Sequence, residues 1–253
     1  MDIAEILILL VAGTAAGTIN TVVGSGSLVT FPALLALGYP PVLANVTNNL
    51  GVLPGSVSGS VAYRAELRGY WRTALPLALA AAVGGAAGAV LLLLLPAEVF
   101  DGIVPSLIIL ALVLVVAGPR IKRWSAERRA RRGASRVVSP GLLTATGLTG
   151  VYGGYFGAAQ GVLLISILSI ALPGSLHKAN AVKNVLGAAA NGAAAVVFVT
   201  VSEVAWPAAG VIALGAILGG QVGGRAGRRI PELVYRAIIV VIGLVAVVSF
   251  LVS

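Results

Sequence analysis

The chain contains no cysteine, which excludes disulfides, thiolate nucleophiles and cysteine-bound metals and leaves the redox compartment open. Charge is almost as scarce. Only 10% of the 253 residues are charged and eight are acidic, and no pair of carboxylates for acid–base chemistry falls within an apolar run. A single histidine, His177, offers no cluster for metal ligation. There is no serine elbow in a strand-to-helix context and no phosphate loop ending in Gly-Lys-Ser/Thr; the run Gly24-Ser25-Gly26-Ser27 imitates such a cradle, but no nucleotide-binding elements follow it. No catalytic residue, cofactor or metal site is therefore expected.

What the chain does have is apolar length. With 58% hydrophobic residues and a mean hydropathy of +1.04, it fits a polytopic helical membrane protein and not a soluble domain. A spanning helix needs about 20 largely apolar residues. Six runs meet this length: 41–62, 73–95, 100–118, 179–199, 205–223 and 233–252. Two others, 3–37 and 140–172, are too long for one span. The N-terminal run carries Asp2 and Glu5 where a leader peptide has basic residues, so it reads as a first membrane segment.

The net charge of +9 comes largely from one stretch, Arg120–Arg136, which holds eight of the seventeen Lys and Arg residues. A basic loop between membrane segments is explained by cytoplasmic headgroups, with no nucleic acid needed. The organisation expected is a first membrane unit at 1–118, a basic cytoplasmic linker at 119–138 and a second membrane unit at 139–253.

The two units spell related sequences. Gly38–Gly51 aligns with Gly174–Gly187 at an offset of 136, matching Val46 with Val182, Asn48 with Asn184, Leu50 with Leu186 and Gly51 with Gly187. Further on, Gly84, Gly85, Gly88 and Pro96 match Gly219, Gly220, Gly223 and Pro231 at 135; glycines so spaced let helices approach closely. The fold expected is all-α, with two homologous repeats.

Charge placement bears on orientation. If the runs 3–37 and 140–172 each cross once, Lys178, Arg225, Arg228, Arg229 and Arg236 all fall outside, against the positive-inside rule. If each instead enters and leaves on one side as a broken hairpin, Arg64, Arg68, Arg72, the linker and those five fall inside. Asp2, Glu5, Glu98, Asp101 and Glu203 then fall outside. Three crossings follow in each half, and the odd number makes the halves inverted. Leu28–Leu37 has ten residues, enough for about half of a 30 Å core, and Gly24–Ser27 supplies the break before it.

The runs Gly24-Ser25-Gly26-Ser27-Leu28 with Pro32, and Gly153 to Gly161 with Ala181-Val182-Lys183-Asn184, resemble the TauE/SafE family over nearly the whole chain. The resemblance implies transport of a small sulfur-containing anion, such as sulfite or a sulfonate, across the bacterial plasma membrane.

Intramembrane polar groups are the candidate site, because they are costly in hydrocarbon and mark ion and substrate paths. Lys183 has no carboxylate placed to pair with it, which points to an anion or a carbonyl. Asn48, Asn184 and Asn49 offer amide donors, with Asn191, Asn45 and Asn180 ranked below them. Ser25, Ser27, Thr47 and Gln160 add donors at the hairpin tips. Gly24, Gly26, Gly157 and Gly161 open the breaks, and helices starting at Leu28 and Val162 would aim backbone N–H groups at the anion. Tyr155, with Tyr152 and Phe156, stands within the second break, where an aromatic can gate a cavity. Tyr63, Tyr70, Trp71, Trp124 and Trp206 fall at segment ends, as interfacial anchors do.

The function expected is secondary transport of a small anion by alternating access. An anion channel of the same architecture and a non-transporting scaffold subunit are the alternatives. The partners are the anionic substrate and membrane lipids; a coupling ion, H⁺ or Na⁺, and homo-oligomerisation are left open.

Overall fold

A computed structural model describes residues 1–132, 138–172, 176–225 and 231–252. These are helical with short connections, and no strand occurs among them. The first half contributes α1 (Ile3–Val22), α2 (Ser27–Ala36), α3 (Pro41–Ala62), α4 (Trp71–Leu94) and α5 (Ala97–Arg132). The second repeats the series as α6 (Pro140–Tyr155), α7 (Gln160–Ala171), α8 (Leu176–Val201), α9 (Trp206–Arg225) and α10 (Glu232–Val252). By length and apolar composition, five described segments can cross a membrane: Ile3–Val22, Trp71–Leu94, Ala97–Ile121, His177–Val201 and Trp206–Arg225. The protein is a multi-pass membrane protein, and all six expected runs are helices.

Local chemistry sets the helix ends. Asp2 and Glu5 form a reciprocal capping box at the start of α1, so these carboxylates satisfy N–H groups that the first turn leaves unpaired. Prolines occupy the first positions of α3 and α6, where the missing N–H costs nothing. The two long runs, 3–37 and 140–172, each break at a glycine. Gly24 lies at φ +91° and Gly157 at φ +80°, a left-handed conformation open chiefly to residues without a β-carbon.

Small residues then decide which helices meet. Along α9, Gly215 faces Leu10 and Thr14, Gly219 faces Thr14 and Thr18, and Gly223 faces Thr18 and Thr21. The two sequences advance together, so α1 and α9 run in the same direction. On α3, Gly51 meets Ile212 and Gly55 meets Ala216, the residues that Gly13 and Gly17 of α1 also meet. Thus α1, α3 and α9 share one direction. The corresponding set is α6, α8 and α4: Gly84 faces Gly147 and Val151, Gly88 faces Val151 and Tyr155, and Gly85 faces Ala190. Each half therefore lends its fourth helix to the other half, α9 to α1 and α3, α4 to α6 and α8.

Because α1 and α3 run parallel, with Thr21 beside Gly59 near their ends, the chain returns between them through α2. That makes α1–α2 a hairpin with a short second arm. Outward faces carry exposed Leu75, Leu79 and Val83 on α4, Leu214 and Leu218 on α9, and Val241, Leu244 and Val248 on α10, a surface suited to lipid.

The structure corrects three expectations. Helix α5 continues to Arg132, so the first part of the basic linker prolongs a helix and is not a loop; its remainder, 133–137, lies outside the described residues, as do Arg228 and Arg229. Tyr63 and Tyr70 are buried, packed with Leu67, Leu168 and Val182, whereas Trp71, Trp124 and Trp206 are exposed. Lys178 lies over the Tyr70 ring, 5.4 Å from its centroid, a cation–π contact. The half-helices begin at Ser27 and Gln160, earlier than Leu28 and Val162.

Candidate functional site

The two breaks touch. The Gly161 N–H donates to the Gly24 carbonyl at 3.0 Å, and a β-carbon on either glycine would collide with the other's backbone. Glycine at both positions is what allows the start of α7 to rest on the end of α1.

Beside this junction α8 presents one face. Asn180, Lys183, Asn184, Gly187 and Asn191 fall at intervals of three, four and seven, a single stripe on a helix. Lys183 is buried, with 2% of its surface exposed. Its Nζ donates to the Asn20 carbonyl at 2.8 Å and reaches the Thr21 carbonyl at 3.4 Å. Those carbonyls belong to the last turn of α1, where acceptors lack intrahelical partners and the dipole is negative. The ammonium is therefore held by helix-terminal oxygens, the carbonyl partner that the sequence allowed. Asn180 Nδ2 donates to the same Thr21 carbonyl at 2.9 Å. In the other half Asn45 Nδ2 donates to the Tyr155 carbonyl at the end of α6, at 2.8 Å. These two amides, 135 positions apart, tie each broken helix to the opposite repeat.

A small polar cavity of about 20 Å³ lies here, bordered by Asn20, Ser27, Ser56, Gln160, Lys183, Asn184 and Asn191, with Gly157, Gly161, Gly187 and Leu164 closing the wall. That is room for one water-sized group. Two atoms on its lining residues are buried with no hydrogen-bond partner: Asn184 Nδ2 and Asn191 Oδ1. Asn20 Nδ2 donates to Ser56 Oγ at 3.0 Å, and Gln160 Nε2 reaches the Thr149 carbonyl at 3.3 Å. No carboxylate borders the cavity.

Of the residues singled out by sequence, Lys183, Asn184, Gln160, Ser27, Gly157 and Gly161 come together, and Asn191 joins them. Asn48 does not border the cavity: its Oδ1 accepts the Thr30 hydroxyl, an interhelical bond between α2 and α3. Asn49, Ser25, Gly24 and Gly26 also stand outside the lining; Gly24 and Gly26 serve close backbone approach, to Gly161 and to Ala16. The Tyr155 ring packs edge-on against Phe100, at 5.7 Å between centroids, in the apolar cluster that also holds Phe156 and Phe31. Thr47 accepts from the Ala205 N–H at the start of α9.

The half-helix N–H groups expected to attract an anion are in part already engaged. Leu28 and Val29 donate to Ser25 and Gly26, and Gln160, Gly161 and Val162 to Gly157, Gly24 and Ala159. Four of these donors are satisfied within their own tight turns and Gly161 across the junction, so these five N–H groups are already paired. Asn20 and Ser56 are the polar lining residues that sequence reading missed, with Leu164 and Gly187 completing the wall. A lone asparagine four residues before the first break is itself an intramembrane polar signal, and Ser56 follows Asn45, Asn48 and Asn49 on the same face of α3.

Comparison with known proteins finds similarity to membrane transporters. The family model described as sulfite exporter TauE/SafE matches residues 9–250. A Sinorhizobium protein named probable membrane transporter protein ORF9 is 30% identical over 246 residues, covering 96% of this chain and 91% of its own. The probable membrane transporter protein YfcA of Escherichia coli K12 is 30% identical over 232 residues, covering 91% of this chain and 83% of its own. A probable membrane transporter protein of Haemophilus influenzae is 30% identical over 223 residues, covering 86% and 83%. No solved structure matches the chain.

Proposed function

This chain belongs to the TauE/SafE family, and from that premise we propose that it is a secondary carrier of a small anion in the bacterial plasma membrane. The observation that carries the reading is the buried Lys183 ammonium beside the unpaired Asn184 Nδ2, at the point where the two broken helices meet. A buried positive charge with amide and hydroxyl donors nearby suits an oxyanion, which would add to the α1 carbonyls that hold the ammonium.

In this reading the two halves are inverted repeats, each a hairpin and three crossings, and they rock about the junction of the breaks. The α1, α3, α9 set and the α4, α6, α8 set run in opposite directions, since along α8 Lys183 lies by the end of α1, beside which Gly59 of α3 also stands, and Gly192 by Leu53, earlier in α3, and this supports it. So does the enclosure of the cavity, which favours a carrier over an open channel. An anion larger than water enters only after α7 or its Leu164 and Gln160 side chains move. Sulfite or a small sulfonate is the substrate in keeping with the family description.

The test is thermal unfolding of the purified protein with sulfite, methanesulfonate and acetate. A ligand that binds only the folded state stabilises it, by about 2.7 kcal/mol at a hundred times its Kd. Lys183→Met is expected to abolish that anion-dependent rise while retaining helicity and a monodisperse elution profile. A rise of the same size in Lys183→Met contradicts the proposal.

A further inference from the structure

An oxyanion without protons only accepts hydrogen bonds. The cavity offers more than donors. Lys183, Asn184 Nδ2 and the Ser27 hydroxyl can donate, the Ser56 hydroxyl being committed to the Val52 carbonyl, but Asn191 Oδ1 is an acceptor, buried and without a partner. A carbonyl oxygen left so costs free energy unless a donor reaches it. The neighbouring elements supply none to it among the described residues. Asn20 is bound to Ser56, Gln160 to the Thr149 carbonyl, and the Lys183 ammonium to the end of α1. Nor does the other half hold a matching acceptor, because the position equivalent to Asn191 is Gly55, packed against Ala216.

We infer that the ligand is a monoanion carrying its own O–H or N–H beside the oxyanion group, with the oxygens toward Lys183 and Asn184 and the donor on Asn191 Oδ1. Hydrogensulfite meets this requirement; sulfate and unsubstituted alkanesulfonates do not. Asn191 thereby sets specificity, since a site built around a ligand hydrogen bond rejects the analogue that lacks it. This inference rests on the anion-carrier reading and adds to it the protonated character of the substrate.

Sulfamate and methanesulfonate separate the two. They share shape and charge and differ in bearing an NH₂ or a CH₃ group on the same SO₃⁻. Calorimetric titration of the unaltered protein is expected to give sulfamate a Kd lower by about tenfold or more, and Asn191→Leu is expected to bring the two values together while both anions still bind. Equal affinities in the unaltered protein overturn this inference and leave the anion site standing. A sulfamate preference that survives in Asn191→Leu overturns it as well, because the donor then docks elsewhere. Failure of both anions to bind overturns the underlying anion reading along with it. The comparison in the unaltered protein decides the matter even if the variant does not fold.

Discussion

Thr47 and Lys183 occupy matching positions of the two repeats and serve helix ends of opposite polarity. The Thr47 hydroxyl accepts an N–H at the start of α9, and the Lys183 ammonium donates to carbonyls at the end of α1. Gly51 and Gly187 match in the same way, yet a β-carbon on Gly51 would stand 2.6 Å from Ile212 Cγ2, while one on Gly187 meets nothing within 4 Å. Gly187→Ala is therefore expected to leave the melting temperature level or raised, since alanine favours helix by up to about 1 kcal/mol. It should weaken anion binding, because the methyl enters the cavity; unchanged binding by calorimetry would remove the cavity from the site. Backbone strain offers a second prediction. Ala159 sits at φ +61°, which costs a residue with a β-carbon roughly 1–2 kcal/mol. Ala159→Gly is expected to raise the melting temperature and Gly24→Ala to lower it, the latter through both its φ of +91° and its contact with Gly161.

Among the helices, close approach through glycine replaces the hydrophobic driving force that lipid cannot supply. Helix α4 shows this on two sides at once: Gly84 and Gly88 lie against α6 backbone and Gly85 against the Ala190 carbonyl on α8. Gly85→Ala and its counterpart Gly220→Ala should each destabilise by roughly 1–3 kcal/mol. Gly210→Ala, with nothing near its β-position, should be neutral or mildly stabilising in the same unfolding measurement. The spacing of these glycines was readable in the sequence as a packing device. Which helix each one meets was not, because the partners of α4 are α6 and α8 of the other half.

For the whole molecule, the direction of the helices predicts sidedness. The α3–α4 connection and the start of α8 lie together, as Lys178 over Tyr70 shows, and the far ends of α4 and α8 lie away from them. The absence of native cysteine makes single-cysteine labelling clean. Arg68→Cys and His177→Cys are expected to react with an impermeant maleimide from the cytoplasmic side, and Glu98→Cys and Glu203→Cys from the opposite side. Labelling of Arg68→Cys and His177→Cys from different sides would refute the inverted arrangement.

Sequence by itself determined the helical membrane class, the doubled order of the helices and the glycine breaks, and it singled out Lys183 as a charge within an apolar run. Each of these follows from the cost of polar groups and helix interruptions in an apolar setting, which is local and periodic information. Only the tertiary structure decided that Gly24 meets Gly161, that the Lys183 ammonium lies on the Asn20 and Thr21 carbonyls, and that Asn48 bonds Thr30 while Asn191 borders the cavity. Matching residues in a duplicated sequence have equivalent positions but unlike neighbours, as Thr47 and Lys183 do, and such contacts form only once the halves exchange their fourth helices.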